Sequence, residues 1–175
     1  GAGGAAERRQ GGVVVGAGGW GRAGALGLAE GGGRVVGVEM WGVYGGQGVM
    51  SQGGVSIIDT PVQAAAGQKD SPDLAYRDFI EWGEGADPDW VRYYVDHSRE
   101  QIYDWLIDLG VQFSGVESSP GNTVDRFHQP AGRGIGLVTP VYRACLERPN
   151  VRFAWNTPAS SEEHTSERQA HLNPV

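Results

Sequence analysis

The chain has 175 residues and a net charge of -7, and 39% of its residues are hydrophobic. That suffices for one respectable core, since an average domain runs about 100 to 200 residues. Acidic and basic residues are interspersed with no basic face, which argues against nucleic acid as a partner, and no apolar run approaches the ~20 residues of a membrane span. Cys145 is the only cysteine; an internal disulfide is excluded, and the composition fits a soluble protein of a reducing, cytoplasmic setting.

Residues 1–11 are expected to be poorly ordered. The run Val13-Val14-Val15 is short, β-branched and apolar, the pattern of a strand buried on both faces of a parallel sheet. It leads into Gly16-Ala17-Gly18-Gly19-Trp20-Gly21, a GxGxxG turn that opens a helix running to about Gly31. Gly16 permits the tight turn, Gly18 lets the backbone approach a pyrophosphate, and Gly21 lets helix and strand pack closely. The helix N-terminus offers N–H groups and the positive end of a dipole to that anion. A second strand over residues 34–38 delivers Glu39 roughly 20 residues beyond the glycines, where a carboxylate meets the ribose hydroxyls of a dinucleotide. An acid there argues against the 2′-phosphate of NADP. The motif by itself leaves NAD and FAD both open.

Gly45-Gly46-Gln47-Gly48-Val49-Met50-Ser51-Gln52-Gly53-Gly54 then reads as a flexible loop, too rich in glycine for a helix or strand interior. Directly after the ribose-binding acid, it is placed to wrap the next part of a long dinucleotide. Ser51 could offer a hydroxyl there, and Gly53 and Gly54 backbone N–H groups.

A mainly helical insert follows over about residues 71–110. Ser71-Pro72 reads as N-cap and first-turn proline, with Leu74, Phe79 and Ile80 on the apolar face. Asp87-Pro88 starts a second helix through Val91, Tyr94 and Val95. Ser98 with Gln101 forms a capping box for a third, in which Ile102, Trp105, Leu106 and Leu109 keep helical spacing up to Gly110. A fourth helix from Thr139 to about Leu146 places Cys145 as a small buried apolar side chain, and the strand 151–155 closes the pattern.

Taken together, GAGGWG, Glu39, GGQGVMSQGG, DSPDLAYRDF, DPDWVRYYVDHSREQIYDWLIDLGVQF, DRFHQPAGRGIG and VRFAWNT resemble the FAD-dependent flavoproteins of the fumarate reductase, succinate dehydrogenase and 3-ketosteroid dehydrogenase group, over almost everything from Val13 to about Ala159. The resemblance implies an α/β, Rossmann-like FAD-binding fold over residues 12–159, truncated and carrying the helical insert. It also implies a fumarate reductase-like oxidoreductase that moves a hydride to or from a carbon–carbon bond beside a carbonyl or carboxylate of a small-molecule substrate. Gly16, Gly18, Gly21 and Glu39 would hold the ADP half of FAD, flanked by Gly19 and Met40. Gly46, Ser51, Gly53 and Gly54 would approach the pyrophosphate and flavin, and Ala159 would touch adenine through its backbone. An NAD-binding dehydrogenase and a non-catalytic flavin-binding fragment are the alternatives.

Departures from the family pattern carry information as well. Gln47 stands about where membrane-type succinate dehydrogenases carry a flavin-linked histidine, which implies a non-covalent flavin. Met40 replaces the usual lysine or arginine after the ribose acid. Arg22, Gly24 and Gly27 stand where relatives usually have leucine and alanine. The catalytic arginine and histidines of the fumarate reductases lie later than this sequence reaches, so the fragment is expected to be inactive alone, with the choice of substrate and electron partner set elsewhere. His128 is the one local candidate for a substrate-side group, with a structural histidine as the preferred reading. The four histidines and one cysteine show no metal-ligand spacing. Residues 160–175 are expected to be a disordered or artefactual tail: Ser161 to Ala170 matches the translated sequencing adapter SEEHTSELQS except at Arg168 and Ala170.

Overall fold

The computed structural model describes residues 11–16 and 18–159; the expectations for the first ten residues and for 160–175 lie outside them. In chain order its elements are β1 (Gly11–Val15), α1 (Gly19–Glu30), β2 (Arg34–Val38), α2 (Gly46–Met50), β3 (Val55–Ser56), α3 (Pro61–Ala65) and α4 (Pro72–Trp82). Then come α5 (Pro88–Ser98), a π-helical segment (Arg99–Asp104), α6 (Trp105–Asp108), β4 (Phe113–Glu117), β5 (Phe127–Pro130), α7 (Arg133–Leu146) and β6 (Val151–Ala154). They fall into two compact units, one formed by the chain up to Gly46 and from Cys145 onward, the other by Gln47–Ala144.

The first unit is built on a parallel sheet of order β1-β2-β6, with Val13 opposite Val36 and Gly37 opposite Phe153. Helix α1 connects β1 to β2 and supplies Ala25, Leu26 and Ala29 to the core. The end of α1 and the turn after it are tied down by Asn150, whose side-chain amide donates to the Ala29 and Gly33 oxygens at 2.9 and 2.7 Å. Gly37 is demanded by the sheet itself, because a Cβ there would lie 2.7 Å from two atoms of the Phe153 ring.

Burial on both faces of β1 does not hold. Val13 and Val15 are 70% and 67% exposed, and Val36 beside them is 41% exposed. Side chains alternate along a strand, so α1 covers the face that carries Gly12 and Val14 while the opposite face lies open among the described residues.

In the second unit the expected helix starts are in place. Ser71 accepts from the Leu74 N–H and Asp87 accepts from Asp89 and Trp90, each cap followed by proline at the first helical position. Helices α4 and α5 close over Ile58, Ala75 and Val95, with Tyr76, Phe79, Val91 and Tyr94 packed around them.

The Ser98 capping box is absent. Ser98 sits inside a continuous helical rod with helical backbone angles, and its hydroxyl instead accepts from the Ile58 N–H at 3.3 Å. A buried serine that satisfies a backbone N–H 40 residues away resembles a cap in sequence. Only tertiary packing distinguishes the two.

Two further expectations are corrected. The glycine-rich segment contains the helix α2 rather than flexible loop throughout. Helix α7 starts at Arg133, well before Thr139, and runs through Pro140. Its early glycines are packing requirements, not breakers: a Cβ at Gly136 would overlap the Ala131 carbonyl. The second unit also carries an antiparallel sheet of order β3-β5-β4, outside the helical insert of residues 71–110, with a register shift between Phe113 and Gly115.

Candidate functional site

In the first unit the glycine turn and the acid converge at the ends of the parallel strands, where open α/β sheets bind ligands. Gly16 has a φ of 91°, accessible at no steric cost only to glycine, and its N–H donates to the Val38 carbonyl at 2.8 Å. Gly21 lies directly against Gly16, so that a Cβ on it would overlap the Gly16 carbonyl oxygen and press the Val14 side chain. Gly18 is the N-cap of α1, and a Cβ on it would meet nothing within 4 Å. Packing among the described residues therefore explains Gly21 but not Gly18. No acidic residue occupies the first turn of α1, which leaves the positive end of its dipole uncompensated by the helix itself.

Glu39 follows β2 directly and is 5% exposed. Its Oε1 accepts from the Trp41 N–H at 3.1 Å, and its backbone N–H donates to Ala154 O at 2.9 Å. The chain leaving β6 returns to this place: the Thr157 N–H donates to Glu39 O at 2.8 Å and the Asn156 N–H to Trp41 O at 3.3 Å. Ala159, two residues on, is exposed, as is Met40. The turn, the acid and the segment that follows β6 thus meet in one corner.

The second unit carries the expected Ser51, Gly53 and Gly54, while Gly46 belongs to the first. Ser51 is exposed, its hydroxyl donating to Gly48 O at 2.8 Å and its carbonyl accepting from the Gly134 N–H at 3.0 Å. Gly53 has a φ of 74°, and a Cβ on it would lie 2.8 Å from the Cα and N of Gly134. A Cβ on Gly54 would overlap the Phe127 ring, and one on Gly134 would overlap the Gly48 carbonyl. Phe127 and Gly134 were not anticipated from the sequence, although the glycines at 132, 134 and 136 were a readable sign of close packing. Gly46, at the start of α2, has a φ of 49° and open space beyond its Cα.

His128 is wholly buried. Its Nδ1 lies 2.6 Å from Arg126 O and its Nε2 2.6 Å from Thr60 Oγ1. A carbonyl only accepts, so Nδ1 carries the proton and Nε2 accepts from the threonine hydroxyl. Burial holds the imidazole pKa below its ordinary value, against the opposing effects of the Arg126 and Val55 backbone groups and the Asp70 charge. A neutral histidine engaged at both nitrogens fits a structural post. Next to it, Arg126 forms a paired contact with Asp70 at 2.8 and 2.9 Å and also donates to Asp78 and Asn122.

The sequence matches the FAD binding domain family over residues 12–169. The chain belongs to this family. It is 32% identical over 149 residues to fumarate reductase (cytochrome) of Shewanella frigidimarina, a match that covers 83% of the chain and 26% of that protein. With a KsdD-like steroid dehydrogenase of Mycobacterium tuberculosis it shares 33% identity over 118 residues, covering 58% of the chain and 21% of that protein. Among solved structures, the open conformation of a flavocytochrome c3 fumarate reductase superposes with a TM-score of 0.77 at 26% identity, covering 85% of the chain and 26% of that structure's. A 3-ketosteroid-delta4-(5alpha)-dehydrogenase from Rhodococcus jostii gives 0.75 at 25% identity, covering 82% and 37%. The chain thus spans about a quarter of the length of the curated relatives it matches.

As a member of the FAD binding domain family the chain takes FAD as its cofactor, which resolves the choice that the glycine turn left open. The geometry of the first unit suits the ADP half of that molecule. There is side-chain-free space at Gly18, a helix with no acidic residue in its own first turn, and a carboxylate at the strand end. No helix among the described residues is long and apolar enough to cross a membrane. No group of three or more His, Cys, Asp or Glu among them could hold a metal ion.

Proposed function

We propose that the chain is part of a longer flavoprotein oxidoreductase, fumarate reductase-like, with a Rossmann-like fold over residues 12–159 that holds FAD non-covalently. The observation that carries the reading is the pairing of a glycine at position 18 that packing among the described residues does not need with a buried glutamate at the end of the next strand. In this reading Glu39 accepts hydrogen bonds from the ribose hydroxyls, and the N–H groups of the first turn of α1 hold the pyrophosphate at the positive end of the helix. Gly19 and Met40 flank these groups, and the backbone of Ala159 lies against adenine. In the second unit Gly53 and Gly54 present main chain, and Ser51 a hydroxyl, to the flavin side, as Gly46 does at the start of α2. Gln47 offers no nucleophile for a covalent flavin link.

Bound FAD would supply hydride chemistry; the relatives' names speak of a reductase for fumarate and a dehydrogenase for steroids. On this reading the parent moves a hydride to or from a carbon–carbon bond next to a carbonyl or carboxylate. Residues 11–159 bind and orient the cofactor, while the groups at the reacting carbon come from outside them. The experiment is equilibrium titration of the protein with FAD, ADP and NAD, followed by flavin fluorescence and calorimetry. Saturable binding of FAD and ADP, with FAD tighter and NAD weak, is the expected result. NAD binding tighter than FAD overturns the proposal.

A further inference from the structure

We infer that Phe127 is a positioning residue for the flavin-side segment 51–54, a role that rests on the FAD reading above and deepens it. Gly54 carries the argument. Its backbone is not in the left-handed region that favours glycine, yet a Cβ on it would overlap the Phe127 ring. The ring, rather than the turn, excludes a side chain at 54. On the other side Gly53 is pressed against Arg133 and Gly134, and Ser51 O accepts from the Gly134 N–H at 3.0 Å. Segment 51–54 is therefore seated between one aromatic ring and the first turn of α7.

The ring itself has little freedom, because the residues on both sides of it are fixed. Arg126 is wholly buried and held by Asp70, Asp78 and Asn122. His128 is wholly buried between Thr60 and the Arg126 carbonyl. The strand ladder continues the connection, with Val55 opposite His128 and Ser56 opposite Phe127. The buried groups at 126 and 128, on either side of Phe127 in the chain, thus set the position of the ring, and the ring sets how far the main chain at 53 and 54 projects. Phe127 acts through Gly54 and not by its own chemistry.

The test is a double-mutant cycle on the 175-residue chain, with Gly54→Ala, Phe127→Ala and the double variant compared for FAD affinity, ADP affinity and hydrogen exchange of the segment 51–56. A coupled pair in contact departs from additivity. We expect Gly54→Ala to weaken FAD binding about tenfold or more, leave ADP within about twofold and raise exchange in the segment. The double variant, with room for the new methyl group, returns FAD affinity to within about threefold of Phe127→Ala alone. A merely structural role moves FAD and ADP together or leaves the two losses additive, and either outcome overturns the inference. A wild-type chain that binds neither FAD nor ADP overturns the FAD reading and the cofactor role of Phe127 with it. Binding by the wild type with additive losses overturns the positioning role alone.

Discussion

Gly21 packs so closely on Gly16 that a β-carbon at position 21 would overlap the Gly16 carbonyl oxygen. The obstacle is backbone, not the end of a flexible side chain, and Gly16 is fixed by its φ of 91° and by its hydrogen bond to Val38 O. Gly21→Ala must push α1 away from β1. Overpacking of this kind costs about 1–3 kcal/mol. Chemical denaturation should show that loss, with ADP affinity falling at the same time.

Two other glycines of the same helix behave in the opposite way. Gly24 and Gly27 are exposed, and a Cβ on either meets nothing within 4 Å. Each interior helical glycine costs roughly 0.5–1 kcal/mol relative to alanine. The double variant Gly24→Ala/Gly27→Ala should therefore gain about 1–2 kcal/mol in stability. A thermal melt checks it, and cofactor affinity should not change.

Removing the guanidinium of Arg126 leaves Asp70 and Asp78 buried without their cation. Breaking a buried pair from one side costs about 3–5 kcal/mol. Arg126→Met should lose that much by denaturant titration. Adding Asp78→Asn should recover part of it, since a neutral amide needs no counter-charge.

Acid should destabilise the second unit in two stages. Burial, the largest effect, holds the His128 pKa below its ordinary 6.5, so the unfolded chain binds that proton first and stability falls as pH drops below about 6.5. For Asp78, burial alone would raise the pKa, but hydrogen bonds from Thr123 and Arg126 with the Arg126 charge outweigh it and the carboxyl lies below its ordinary 3.8. A second decline then begins as pH falls below about 3.8. Denaturation midpoints between pH 8 and pH 3 check the order. His128→Asn should flatten the upper stage and leave the lower one.

The parallel strands, α1, the caps at Ser71 and Asp87 and the acid at Glu39 were legible because local chemistry decides them: β-branched runs, a glycine turn and oxygen-bearing caps before proline. Ser98 misled because its hydroxyl serves a backbone N–H far away in sequence rather than its own helix. The early start of α7 was hidden because glycine reads as a breaker, whereas Gly134 and Gly136 are there to admit neighbouring backbone. The exposed face of β1 was hidden for a different reason. An apolar strand reads the same in sequence whether one of its faces is covered or both. The Arg126 cluster joins residues 48 and 56 positions apart, and no spacing rule brings these together.

Gly18 gives the most direct test of the account, because no packing among the described residues requires its lack of a side chain. Compared with wild type, Gly18→Ala should melt no more than about 4 °C lower, since a new methyl group there meets nothing within 4 Å and the remaining cost is alanine's poorer fit at an N-cap, about 1 kcal/mol or less. FAD and ADP affinity should fall by about tenfold or more, the expected cost of a methyl group where the pyrophosphate approaches the backbone. An alanine variant that binds FAD and ADP as tightly as wild type would contradict the assignment of this corner to the ADP half of the cofactor.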